Sequence, residues 1–570
     1  MVMSRFIKSL ILTSAWLMLA ACGGGSVSSS GSSGVTVTPS GTQVLAGATQ
    51  QMSATAVDGG TAFTWQVNGI PGGNSTLGTI SSSGLYTAPD LPPPGAAVTI
   101  TAIEQAHTSQ SGTATLSIGY SNASLKGAYV FNMSGLNAGV PWAAIGEFTA
   151  NGTGQLSNGL EDVNNGSSVS SKTAFSGTYN ISPNGLGTAV LGTVNIQFVL
   201  VTGGQANLIR TDNNTVVDGG LFPQSQTAGS VTSLNGPYVF SFAGENTSNQ
   251  SIAVLGRIVA STGGAFTTGT EDVNGPGPLL NASVTGSYTF DGNNHGTATL
   301  TDGNGTHTYS FYVESASDLE FLSFDPSQPL SGSISLQQPV TFSNASLNGG
   351  YVFFVGGNSP NSGYAQAGQF NPDGQGGLGT ITEDINTPGT IANIITTGTY
   401  AFDSSGNGRG TLTINNQGSN TPQTYVFYMD SPAQAQVMTI NSNIVASGLI
   451  TAQQPGVSFN NASLNANYGF TLFSQTAPKS IFLGLGTLAL DGQGNLSGSL
   501  IQNLNGTIPS TLSLTGTYQF NGGGVRGTAI LISSGGGSSP FAIYPVTPGG
   551  FVLIGTDAAS PYLGSAILRY

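Results

Sequence analysis

The chain has 570 residues, 85 of them glycine, with 38% apolar and only 6% charged residues and a formal net charge of −14. So few cations leave no basic patch to neutralise phosphates, which argues against nucleic-acid partners bound by counterion release. The apolar content excludes a disordered chain, and one Cys with three His leaves too few ligands for a His/Cys metal centre and no disulfide.

Residues 1–21 carry Arg5 and Lys8, an apolar run from Leu10 to Leu19, and Ala20-Ala21 before Cys22. The run is shorter than the about 20 residues that span a bilayer, and its three-part form is that of a secretory signal. Leu19-Ala20-Ala21-Cys22 resembles the lipobox of bacterial lipoproteins. That resemblance implies cleavage before Cys22, lipidation of its thiol and new amino group, and a membrane partner reached through the anchor. Gly23 in place of Asp implies export to the outer membrane, on its periplasmic or outer face. Cleavage would leave eight Lys/Arg against 24 Asp/Glu, a net of −16.

Residues 22–34, CGGGSVSSSGSSG, read as a flexible Gly/Ser tether. Over 35–118, two-residue alternation in Val35-Thr36-Val37, Phe63-Thr64-Trp65-Gln66-Val67 and Val98-Thr99-Ile100-Thr101 predicts half-buried strands. Thr38-Pro39, Ala46-Gly47, Gly78-Thr79-Ile80 and Gly84-Leu85-Tyr86-Thr87-Ala88-Pro89 resemble bacterial Ig-like domains of the Big type. The resemblance implies an Ig-like β-sandwich acting as a spacer or adhesive module, with Trp65 in its core. The layout as a whole resembles secreted Ig-domain lipoproteins with Gly-rich repeats from acidobacteria.

The rest is a fourfold internal repeat. Leu125, Leu234, Leu347 and Leu464 each open a unit, four residues before Tyr129, Tyr238, Tyr351 and Tyr468, at intervals of 109, 113 and 117. Gly177, Gly286, Gly398 and Gly516 keep the register, as do the late glutamines Gln224, Gln337-Gln338 and Gln453-Gln454. The units fall at 119–225, 226–338, 339–454 and 455–570. In the third, strands are expected at 351–355, 366–370, 378–386, 394–402, 410–414, 423–429, 436–441 and 445–452. Eight sequential strands with short turns predict an all-β chain: an Ig-like sandwich followed by four tandem eight-stranded up-and-down, calycin-like β-barrels. Four β-sandwiches are the alternative. An even strand number suits a string of barrels. Tyr351/Phe353, Tyr400/Phe402 and Tyr425/Phe427/Met429 lie two apart and share faces, so they fill the barrels or line ligand cups.

Glu161-Asp162-Val163-Asn164, Glu271-Asp272-Val273-Asn274 and Glu383-Asp384-Ile385-Asn386 form a repeated motif that becomes Gln502-Asn503-Leu504-Asn505 in the fourth unit. Neighbours on a strand face opposite ways, so Glu and Asp do not pair as carboxylates. The expectation is a polar strand-end cap. Asp162, Asn164, Asp272, Asn274, Asp384 and Asn386 are the weak candidates for a calcium site, which needs six to eight oxygens. Asn-Ala-Ser at Asn122, Asn281, Asn344 and Asn461 reads as turn residues. His107, His295 and His307 share no repeat position, although His307 can meet Asp302 locally. No catalytic residue and no cofactor is expected. The expectation is a non-enzymatic adhesive, binding or structural protein of the envelope, with glycans or surface proteins as partners. A carrier of small apolar or sugar ligands and a glycan-acting enzyme are the alternatives.

Overall fold

The structure is a computed structural model that describes residues 34–225, 233–359, 362–387, 390–415, 422–440, 443–476, 480–508, 511–520, 524–557 and 562–569. Cys22, the leader and the tether up to residue 33 lie outside the described residues.

The first unit is a small sandwich. Strands Thr42–Leu45, Ser111–Gly119, Ala97–Glu104, Phe63–Val67 and Ile70–Pro71 form one sheet in that order; Thr49–Gln51, Leu85–Thr87, Gly78–Ile80 and Gly73–Asn74 form a second, and Val35–Thr38 pairs with Ser53–Ala56 in a third. Their alternate residues meet in one core that includes Met52, Val67, Tyr86, Ile100 and Leu116. Trp65 belongs to it and is buried. Gly84 lies against its indole at φ +80, where a Cβ would stand 2.9 Å from the ring.

Beyond the sandwich the chain folds into four antiparallel barrels. In barrel 1 the strands are Lys126–Asn137, Val140–Asn151, Gln155–Asn164, Val169–Ile181, Leu186–Leu191, Val194–Leu200, Ala206–Arg210 and Thr215–Pro223. Each pairs with the next, and the eighth returns to the first. Barrels 3 (Tyr351–Ala452) and 4 (Ala466–Leu568) close the same way. The eight strands of barrel 3 lie where the sequence pattern placed them, most of them longer by a few residues. Barrel 2 (Gly236–Leu336) closes with one break: its fourth strand is split into Leu279–Ser283 and Thr285–Gly292, both paired with the third. Closure leaves no free edge for modules that carry little charge.

The interiors are packed cores. In barrel 3, Tyr351, Phe353, Tyr400, Tyr425, Phe427 and Met429 are all buried in one cluster. Barrel 2 stacks Phe240 on Phe242 and Phe242 on Phe321, with centroids 5.3 and 5.7 Å apart. The rings need glycine opposite them. Phe131, Phe240, Phe353 and Phe470 are the cross-strand partners of Gly146, Gly256, Gly368 and Gly486. A Cβ on any of these glycines would stand 2.2–2.8 Å from the phenyl. Part of the high glycine content is therefore a packing requirement of the aromatic interior.

The turn before each first strand closes one barrel end. Asn122–Ser124, Asn344–Ser346 and Asn461–Leu464 are single 3-10 turns. Their asparagine side chains accept from the amides of Ile181, Phe402 and Phe520, and their carbonyls accept from Tyr179, Tyr400 and Tyr518. Asn281 is not equivalent to the other three. It sits within the split fourth strand of barrel 2 at φ +50.

The four barrels do not form a string. Buried apolar clusters join barrel 1 to 2, 2 to 3, 3 to 4 and 4 back to 1. The molecule is a closed ring of barrels.

Candidate functional site

The Glu-Asp-x-Asn motif lies near the end of each third strand, and alternation sends its residues two ways. The glutamate turns into its own barrel, whereas aspartate and asparagine reach the next one. Asp162 is opposite Ile145 on the second strand, Asp272 opposite Leu255, and Asp384 opposite Ala367. Those partners are part of the apolar faces that meet the following barrel: Ile145 packs in a cluster with Tyr312 and Leu322, Leu255 with Tyr428 and Met438, Ala367 with Tyr544 and Ile554. Each junction is thus an apolar patch with a carboxylate beside it.

The carboxylates are matched across the junctions. Asp272 receives Arg409 through Nε at 2.8 Å and Nη2 at 2.7 Å, and the Tyr428 hydroxyl at 2.7 Å. Asp384 receives Arg526 at 2.6 and 2.9 Å and Tyr544 at 2.5 Å. Asp162 meets His295 Nε2 at 2.9 Å and Tyr312 at 3.4 Å, and His295 Nδ1 lies 2.9 Å from Asp291. Burial works against charge on both members of the last pair. Hydrogen bonds from His295 and the Lys172 amide nonetheless hold Asp162 below its ordinary pKa, and the two aspartates raise that of His295.

The asparagines fix the same junctions through backbone. Asn164 donates to the carbonyls of Ser323 and Asp325, Asn274 to Thr439 and Ile444, and Asn386 to Gly555 and Asp557, all at 2.6–3.1 Å. The late glutamines do likewise: Gln224, Gln337 and Gln453 each donate at 2.6 Å to the equivalent carbonyls of Val313, Met429 and Pro545 in the next barrel. The six residues weighed as calcium ligands are therefore all engaged by protein groups, chiefly across junctions. Capping of a neighbouring amide is present as well: Asp162 accepts from Lys172 N at 2.6 Å and Asp272 from Asn281 N at 2.8 Å.

The fourth junction is built differently. Asn503 donates to the carbonyl of Thr215 at 2.7 Å and also reaches Arg210. It does the work of the asparagines at the other junctions from the position their aspartates occupy, opposite Leu483. In barrels 2 and 3 the cation and tyrosine are cross-strand partners, His295 with Tyr312 and Arg409 with Tyr428. The equivalent pair in barrel 1 is Leu186 with Val199. Val199 packs with Ile209 and Val216 against Ile481, Leu483, Leu485 and Ile501, with Leu186 at the edge. Carboxylate, cation and phenol are all replaced together. The motif (His/Arg)-Gly-Thr at 295, 409 and 526, against Leu-Gly-Thr at 186, carries this in the sequence, but nothing local marks it, because its partner lies in another repeat.

The inward glutamates face barrel interiors and, among the described residues, have no cation paired across a junction. Burial raises the pKa of Glu271 to about 9, with Asp302 hydrogen-bonded to it adding to the effect. Burial also raises Glu383 to about 7, against a hydrogen bond from Gln366 at 2.8 Å. Glu161 is raised less, burial again being opposed by Arg210. The interaction between the two carboxyls raises Glu271 and lowers Asp302. His307 stands 3.6 Å from Asp302.

A cavity of ≈ 110 Å³ lies where the four barrels meet. Its wall is mostly apolar, with Leu136, Trp142 and Val216 of barrel 1, Ile252 of barrel 2, Val445 of barrel 3, and Phe473 and Ile481 of barrel 4. Asp218, Glu245 and Asn358 supply its polar groups; Asn358 donates to Glu245 at 3.2 Å and to Ser251 at 2.6 Å. Burial raises the pKa of Asp218. A broader open hollow of ≈ 350 Å³ lies over Thr178, Asn180, Thr188 and Asn195 on barrel 1.

No protein-family model matches the chain, and no curated protein matches it. Among solved structures it is similar to a double mutant of the vaccine antigen Transferrin Binding Protein B (TbpB) from Haemophilus parasuis Hp5, at 11% identity over 64% of this chain and 82% of that one, with a TM-score of 0.18. It is also similar to intact Ap-TbpB (N and C lobes), at 11% identity over 64% and 83%, with a TM-score of 0.17. Likeness at that level carries no argument about function.

Proposed function

We propose that this chain is a lipid-anchored envelope protein of the bacterial outer membrane, with a non-enzymatic binding or adhesive role performed by the outer surfaces of the barrel ring. The supporting observation is that the barrel interiors are packed with aromatic and aliphatic side chains, so recognition falls to the outside. Four related modules held together present related surfaces at once, and weak contacts then gain avidity through effective concentration. The anchor is Cys22, with the Ig-like unit as spacer between lipid and ring.

The experiment has two arms. Membrane fractionation of the full chain and of Cys22→Ser tests the anchor; the substituted form should become soluble and stay folded, and retention in the membrane would overturn the anchor. Binding of the soluble form to glycan arrays and to isolated cell surfaces tests the role. Saturable binding that is weakened when the junction of barrels 2 and 3 is destabilised by Arg409→Leu supports it, and absence of binding to every surface would overturn it.

The central cavity favours a second reading, a small-ligand carrier whose single site is shared by the four barrels. Its apolar wall with Asp218 and Glu245 suits a small amphipathic cation. Saturable binding of such an amine that Trp142→Ala abolishes would select this reading over the first.

A further inference from the structure

The sandwich holds a cluster that the ring does not use. Asp58 follows strand Ser53–Ala56, Glu104 ends strand Ala97–Glu104, and His107 lies in the hairpin leading to Ser111–Gly119. His107 Nδ1 stands 3.0 Å from Asp58 Oδ2 and 3.5 Å from Glu104 Oε2. The three ligand atoms all lie within 4.8 Å of one another. Asp58 and His107 are open to solvent, with side chains 36% and 57% exposed. Glu104 is not: its side chain is 2% exposed, and its Oε2 has no hydrogen-bond partner.

A buried carboxylate is compensated by a cation or takes up a proton, and residues 35–118 contain no Lys or Arg to act as the cation. Of the three carboxylates there, Asp90 is taken by Lys126 at 3.2 Å. The remaining two converge on the one histidine.

We propose that Asp58, Glu104 and His107 bind one divalent transition-metal ion, with Zn²⁺ the preferred species. Zn–O and Zn–N bonds of about 2.0–2.1 Å set ligand-to-ligand edges of roughly 3.3–3.4 Å in a tetrahedron. The two separations measured from His107 bracket that value, and the edge between the two carboxylates lies within 4.8 Å. One imidazole nitrogen and two carboxylate oxygens suit zinc, and the Irving–Williams order places it above manganese at such a site. Three protein ligands leave a fourth position open for water or for a side chain of a partner. The Asp58 carboxylate is already oriented: its Oδ1 accepts from Gly60 N at 3.1 Å and its Oδ2 from Gln110 Nε2 at 3.3 Å. The imidazole binds through Nδ1, the nitrogen that faces both carboxylates.

The test is calorimetric titration of ZnCl₂ into the untagged, metal-stripped chain carrying Cys22→Ser, at pH 7.5. The expected result is one ion per chain, with His107→Ala and Asp58→Asn each lowering affinity at least about tenfold. Asp58 is exposed, so its variant retains the fold even if Glu104→Gln does not, and circular dichroism checks this. The absence of a one-to-one isotherm would overturn the site, as would affinity unchanged in both variants. A doubly protonated His107 in the nitrogen-15 spectrum, persisting with zinc in excess, would assign the charge compensation to a proton instead.

Discussion

Asp162 and Glu161 are adjacent in sequence yet pass into different environments, because a strand alternates its faces. The aspartate enters a junction where an imidazole answers it, and the glutamate enters its own barrel. Each has a pH signature. His295 has a raised pKa, so the stability it contributes is full below its ordinary value of 6.5 and is lost as pH rises through the raised one. Asp162 has a lowered pKa, so its share is full above 3.8 and is lost as pH falls through the lowered one. Urea midpoints should therefore fall between pH 6 and pH 9 for the native chain and fall less for His295→Arg, which supplies the cation the other two junctions use. Equal falls would refute the assignment. The buried acids act otherwise. A raised Glu383 favours the folded state below its ordinary value of 4.5, and that favour is lost as pH rises toward about 7. For Glu271 the loss extends to about 9. Glu271→Gln, which copies Gln502 of the fourth repeat, should raise Tm at pH 8 and leave it nearly unchanged at pH 4.

At the scale of the strand, the junctions work as matched pairs. Arg409→Leu would leave Asp272 buried without its cation, a change expected to cost about 3–5 kcal/mol. The triple change Arg409→Leu, Tyr428→Val and Asp272→Asn reproduces the apolar fourth junction and should recover most of that loss. Chemical denaturation measures both, and a triple variant no more stable than the single one would show that charge matching is not the organising feature. Strand number, repeat register and the inward aromatic sets were legible in the sequence, because each is a local period of two or a repeat near 110 residues. The junction was not. Asp272 and Arg409 are 137 positions apart, and nothing local marks them as partners. Their repeat positions were equally visible, but alternation says only that a side chain faces outward, not what it meets there. The ring was missed for the same reason, and a string of barrels was the natural expectation from an even strand count.

For the whole molecule, the ring brings the last strand back to the first barrel. Arg569 lies over the Tyr120 ring at 5.2 Å and donates to the carbonyl of Asn184. A circular permutant that begins at residue 233, passes through 569 and a short Gly/Ser link into 119, and ends at 225 should fold with a Tm close to that of residues 119–569. A permutant that melts in two separate steps would show that the fourth junction does not close the ring. On the proposed anchor at Cys22, the closed form would also set how far the protein stands from the lipid. Four barrels end to end would lift the last one far from the bilayer on a pliant stalk. Joined in a ring through buried apolar clusters, the four barrels hold their outer walls in a fixed relation to one another. On that proposal, the architecture exchanges reach for a rigid compass of surfaces held close to the membrane.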